Sequence, residues 1–136
     1  MSARDRSIVS ARGLFFCALL LAACGAGTRS PVGAVRALGE AAQDGDRDAA
    51  WRLLGPQTRA RLETDAKRAA QLSGRRAMPP QEMLAVGWFQ PRWRLDDARE
   101  LERSGDRATV EVTGKNGERE QVACVRVAGA WKVELP

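Results

Sequence analysis

The chain has 136 residues, 44% of them apolar and 29% charged, with a net charge of +5 and neither histidine nor tyrosine. That balance belongs to a globular protein rather than a disordered one, and the length suits one domain rather than two. Histidine is the usual neutral-pH proton shuttle and the commonest metal ligand; its absence excludes the enzyme and metal-site designs built on it. The basic residues are mostly arginines interleaved with acids. A nucleic-acid reader needs a concentrated basic face, so no nucleic-acid partner is expected.

In chain order, residues 1–13 carry Arg4, Arg6 and Arg12 against Asp5, and Leu14 to Ala23 carry no charge. A basic stretch, a short apolar stretch and a small-residue exit read as a secretory signal peptide over residues 1–23. Ten apolar residues rise only about 15 Å as a helix, half of a hydrocarbon core of about 30 Å, too little for a stable membrane span. Leu21-Ala22-Ala23-Cys24 resembles the bacterial lipobox. The resemblance implies cleavage between Ala23 and Cys24 and a diacylglyceryl thioether on Cys24. Two or three acyl chains hold a protein on a bilayer stably, where one chain does so only marginally. The lipid bilayer is then a partner through acylated Cys24. Gly25, where the lipoprotein sorting rule retains aspartate-bearing proteins at the inner membrane, implies the outer membrane, facing the periplasm, in an organism that has one.

Residues 24–30, with Gly25, Ala26 and Gly27 in them, read as the lipidated cysteine and a flexible tether. Cys17 departs with the leader and Cys24 is acylated, so Cys124 has no intrachain partner and no disulfide is expected.

Residues 31–136 read as one α+β domain. Ser30-Pro31 is a helix start, and Val32, Val35, Leu38 and Ala42 follow at helical spacing until Asp44-Gly45-Asp46 breaks the run. A short helix over about Arg47–Leu54 offers Ala50, Leu53 and Leu54 to the core. A third over about Pro56–Leu72 is expected to bury Leu62, Ala66, Ala69 and Leu72, with Gly74 beyond its end. Pro79-Pro80 opens a further helical piece holding Met83 and Leu84. From Trp93 the period becomes two. Ala108, Val110 and Val112 alternate with polar residues, and Asn116-Gly117 predicts a tight type I′ hairpin. Val122 and Cys124 then share one face, with Ala123, Val125 and Val127 on the other. After Gly129, Trp131, Val133 and Leu135 alternate with Lys132 and Glu134. Helices followed by an antiparallel meander define the α+β class.

Ala49-Ala50-Trp51-Arg52-Leu53-Leu54 after the Gly45-Asp46 break, the Gly105-Asp106-Arg107-Ala108-Thr109-Val110 strand entry and Gly129-Ala130-Trp131-Lys132-Val133-Glu134-Leu135 together resemble the nuclear-transport-factor-like superfamily. That resemblance implies N-terminal helices packed on a curved antiparallel sheet, forming a cone with a pocket in its open end.

Candidate site residues follow from these placements. Trp88, Phe89, Trp93 and Met83 lie where such folds pass from helices to sheet; they line an apolar ligand pocket or fill the core. Asp44, Asp46 and Asp48 alternate like the start of a calcium loop, but the sixth and twelfth positions hold Ala49 and Gly55 instead of glycine and glutamate. A helix–helix turn is expected there, with no metal and no cofactor. Asp96, Asp97 and Glu100 are the carboxylates nearest the implied cone, without the tyrosine or histidine that enzymatic branches of the superfamily use. Cys124, inside an apolar strand, reads as a small hydrophobe. Arg59, Arg61, Lys67, Arg68, Arg75 and Arg76 read as a solvated helix face or a patch for anionic lipid. The expected function is a non-catalytic binding or assembly module of the envelope, taking a small apolar ligand or an envelope protein. A cone-pocket enzyme of isomerase or dehydratase type and a structural adaptor are the competing readings.

Overall fold

The computed structural model describes residues 27–76, 78–87 and 94–136. Helices come first: α1 (Pro31–Asp44), α2 (Arg47–Leu53), α3 (Pro56–Ser73) and α4 (Pro80–Gly87). Strands β1 (Leu95–Ser104), β2 (Arg107–Gly114), β3 (Arg119–Val127) and β4 (Ala130–Glu134) then form one antiparallel sheet in the order β1-β2-β3-β4. The domain is α+β, as the change of period implies.

The helix ends have local causes. Ser30 Oγ accepts from the Gly33 N–H at 3.0 Å, capping a donor that the helix leaves unpaired. Gly45 ends α1 at φ 69°, and Asp46 N–H returns to the Ala41 carbonyl at 2.9 Å. Asp46 serves both helices, because its Oδ1 accepts from Ala49 N–H at 2.9 Å and opens α2. α1 buries Ala34, Val35, Leu38 and Ala41, so the stripe takes Ala41 where spacing alone suggests Ala42.

α3 buries Thr58, Leu62 and Ala66 and then runs past the body. Ala69 and Ala70 are half-buried, and Leu72, expected in the core, is 83% exposed. An 18-residue helix is about 27 Å long at about 1.5 Å per residue, and residues 71–73 at its end are all exposed.

The core-facing side of the sheet carries Ala98, Ala108, Val110, Val112, Val122, Cys124, Trp131, Val133 and Leu135. Register explains the set: Ala98 faces Val112, Val110 faces Val122, and Cys124 faces Val133. This also decides between the two faces of β3, with Val122 and Cys124 inside and Ala123 and Val127 exposed. β1 shifts register between Leu95 and Asp97 and again between Glu100 and Glu102, irregularities that bend a strand. β4 is an edge strand whose outer groups are covered: Thr28 accepts from Trp131 N–H at 2.9 Å, and Gly55 N–H donates to Val133 at 2.8 Å.

One turn differs from expectation. Asn116-Gly117 does not form a two-residue type I′ turn. Gly117 N–H donates to Gly114 at 2.9 Å, Gly114 N–H donates to Glu118 at 2.8 Å, and only Gly117 has positive φ. This is the three-residue loop that closes on a left-handed glycine. The paired positive φ of a type I′ turn falls instead at Ala128 (50°) and Gly129 (79°), between Val127 and its partner Ala130.

Candidate functional site

The most elaborate polar arrangement lies at one end of the sheet. Trp131 is 1% exposed, and two arginines cover its ring, Arg103 at 5.3 Å and Arg126 at 5.6 Å from the centroid. Arg126 stands opposite Trp131 in the β3–β4 register. Arg103 comes from the end of β1, past its second register shift. Each guanidinium is held by a carboxylate. Glu100 takes two bonds from Arg103, at 2.8 and 2.7 Å, and Asp106 Oδ1 takes one from Arg126 Nε at 2.8 Å and lies 2.7 Å from its Nη2. The Arg103 guanidinium holds the Glu100 carboxyl below its ordinary range, and Glu100 in turn raises Arg103. Cations over an indole are attracted to its electron-rich face, so the ring is walled by charge that is already neutralised. The alternation of Trp131 with Lys132 sets it on one strand face, but the sequence reading missed both arginines. The signal was the shared strand face of Cys124 and Arg126; the register that adds Trp131 was needed to use it.

Cys124 lies beneath this cluster, 2% exposed, with Sγ 3.9 Å from the Pro31 carbonyl. Burial, and secondly the Glu100 charge, push its thiol up to about 12. A thiol so protonated is a packing group rather than a nucleophile.

The carboxylates near the implied cone are outside the core. Asp96 and Asp97 are exposed, and Asp97 pairs with Arg36 at 3.0 Å. Met83 is partly buried against the core. Trp88, Phe89 and Trp93 lie outside the described residues, as do Ala23 and Cys24. A surface cleft of about 550 Å³ opens where α2 and α4 begin, lined by Asp46, Asp48, Glu82, Arg47 and Gln81 among others. Asp46 is already the cap of α2. No group of three or more metal-ligating side chains occurs among the described residues.

A second polar centre joins the helices to the last strand. Glu134 accepts from Gln57 N–H at 3.1 Å, Thr58 N–H at 2.8 Å and Thr58 Oγ1 at 2.6 Å. Thr58 Oγ1 accepts in turn from Leu135 N–H at 2.8 Å. Gly55, the residue before α3, has no side chain to cap it, and a Cβ there would overlap the Glu134 carboxylate. Nearby, Lys132 Nζ and Arg59 donate to the Arg52 carbonyl at 2.6 and 3.1 Å, satisfying the end of α2. Desolvation, and secondly Arg59, lower Lys132 from its ordinary value.

None of the protein families, curated proteins or solved structures compared with this chain matches it. No helix among the described residues is long and apolar enough to cross a membrane.

Proposed function

We propose that the chain is an exported envelope lipoprotein, cut before Cys24 and anchored by acyl chains on that cysteine, with residues 31–136 as a non-catalytic binding or assembly module. The observation that carries this is Leu21-Ala22-Ala23-Cys24 after a basic and then an uncharged apolar stretch. Gly25 directs it to the outer membrane, facing the periplasm, where one exists. The fold is proposed as a nuclear-transport-factor-like cone, supported by helices preceding a four-stranded antiparallel sheet with a register-shifted first strand. A binding rather than catalytic role is supported by the deep burial of Cys124, the outward setting of Asp96 and the Asp97–Arg36 pair. An adaptor role for an envelope protein is favoured in turn by the exposed apolar side chains Leu101 and Val127 on the sheet.

The test is metabolic labelling with an alkynyl fatty acid in a bacterial host, followed by fractionation. Incorporation that disappears in Cys24→Ala, together with release of that variant from the membrane fraction, is the expected result. Equal labelling of both chains, or a soluble wild type, overturns the reading.

A further inference from the structure

The start of the domain fixes more than an attachment point. Thr28 is hydrogen-bonded through its carbonyl to Trp131 N–H at 2.9 Å, and Ser30 caps Gly33 at 3.0 Å. Gly27 packs beside α1, where a Cβ on Gly33 would meet its carbonyl oxygen. The chain is therefore part of the fold from residue 27 onward, although composition alone assigns residues 24–30 to a loose tether. From Cys24 to Thr28 is four residues, at most about 14 Å at about 3.6 Å per residue. A lipid on Cys24 holds Trp131 no farther than that from the anchor plus a hydrogen bond.

Trp131 is the second residue of β4, next to the Val127–Ala130 turn. The registers Arg107↔Val125 and Ser104↔Arg107 bring the β1–β2 turn to the same end of the sheet. The Lys115–Gly117 loop closes the opposite end. The eight residues of β2 separate the two ends by about 25 Å at about 3.3 Å per residue.

We propose that the end of the sheet bearing the Ser104–Arg107 and Val127–Ala130 turns faces the phospholipid headgroup layer, with the Lys115–Gly117 loop pointing away from the membrane. This rests on the lipid-anchor reading. The chemistry of that end suits the partner. Arg29, Arg103, Arg107 and Arg126 are exposed there, and guanidinium is the cation best matched to a phosphate diester. Glu100 and Asp106 already engage Arg103 and Arg126, which leaves Arg29 and Arg107 in excess of those two carboxylates, and the short tether brings the face against headgroups. The turn at Val127, Ala128 and Gly129 presents exposed apolar and small groups and leaves room for close approach.

The experiment uses the full lipidated protein in vesicles of phosphatidylethanolamine and phosphatidylglycerol doped with a nickel-chelating lipid. Ser104→Cys, Val127→Cys, Asn116→Cys and Arg75→Cys variants each carry one nitroxide; native Cys124 is buried and stays unlabelled. Nickel-induced relaxation several-fold greater at Ser104 and Val127 than at Asn116 is the expected result. Equal relaxation at Ser104 and Asn116 overturns the proposal. So does strongest relaxation at Arg75, which would mean that the basic end of α3 is what meets the lipid. A parallel Cys24→Ala protein separates the two readings. If it stays on the vesicles, the lipid anchor itself fails; if it leaves them while wild type shows no gradient, the anchor stands and the orientation falls.

Discussion

The Glu134 carboxylate receives both the backbone N–H and the hydroxyl of Thr58, at 2.8 and 2.6 Å, so the last strand caps a helix that begins 78 residues earlier. Helix N-termini have unpaired donors and a positive dipole end. Here the cap comes from across the fold because Gly55 has no side chain to offer.

Glu134→Ala should therefore cost about 1–3 kcal/mol, the range for a part-buried charge-assisted bond and a lost cap. Chemical denaturation would show it as a lower midpoint at unchanged slope. Thr58→Val keeps the shape but leaves the Leu135 N–H without its acceptor and should cost a similar amount. The double variant should cost less than the sum, since both substitutions break one network. Additive losses would contradict the shared cap.

Ala128 has φ 50° on an exposed turn. A left-handed conformation costs a residue with a Cβ about 1–2 kcal/mol, and glycine or asparagine is relieved of most of it. Ala128→Gly and Ala128→Asn should each raise the melting temperature by about 4 °C, roughly what 1 kcal/mol gives in a domain of this size. An unchanged or lower melting temperature would argue against the type I′ geometry.

Cys124 should be inert to a thiol reagent in the folded protein and react at the rate of opening. Its folded pKa is raised, from 9.0 to about 12. Between those values the unfolded chain gives up the proton and the folded chain keeps it. Its stabilising contribution is therefore full below pH 9 and is lost as pH rises toward 12, with a slope approaching about 1.4 kcal/mol per pH unit. Comparing Cys124→Ala with wild type over that range isolates the effect, because the variant should lack this share of the alkaline slope.

Replacing Trp131 by alanine should cost about 3–5 kcal/mol, as for other buried aromatics. Arg103→Met and Arg126→Met should each cost about 0.5–1 kcal/mol, the scale of an exposed cation–ring contact. In a Trp131→Leu background, which removes the ring, the arginine substitutions should cost less, keeping only what the loss of the Glu100 and Asp106 pairs contributes. A double-mutant cycle by denaturant titration measures that coupling.

Much of the architecture was legible because its punctuation is local. Ser30-Pro31, Gly45 and Gly74 each act on the chain beside them. The alternation in Ala108, Val110 and Val112 states its own period. What stayed hidden depends on residues far apart in the chain. Leu72 has a core-like side chain at an acceptable helical position, and only the length of α3 against the body exposes it. Asn116-Gly117 suits two loop lengths, and the pairing of Thr113 with Arg119 selects the longer one. Nothing near Gly55 announces Glu134, and nothing near Trp131 announces Arg103. Of the candidate pocket, only Met83 lies among the described residues, so its aromatic members stand as the sequence left them. The proposed anchor at Cys24 rests on a four-residue motif, the kind of signal an enzyme reads and a fold does not assemble.

β4 leaves the ribosome after every other described element, yet Trp131 and Val133 complete the core and Glu134 caps α3. A nascent chain that has not reached residue 130 has a sheet without its edge and a third helix without its first hydrogen bonds. Folding dominated by such distant partners is slow, so a chain that lacks β4 remains an open thread. Under the proposed export through a narrow channel, β4 acting as the latch would keep the chain threadable until it arrives on the far side.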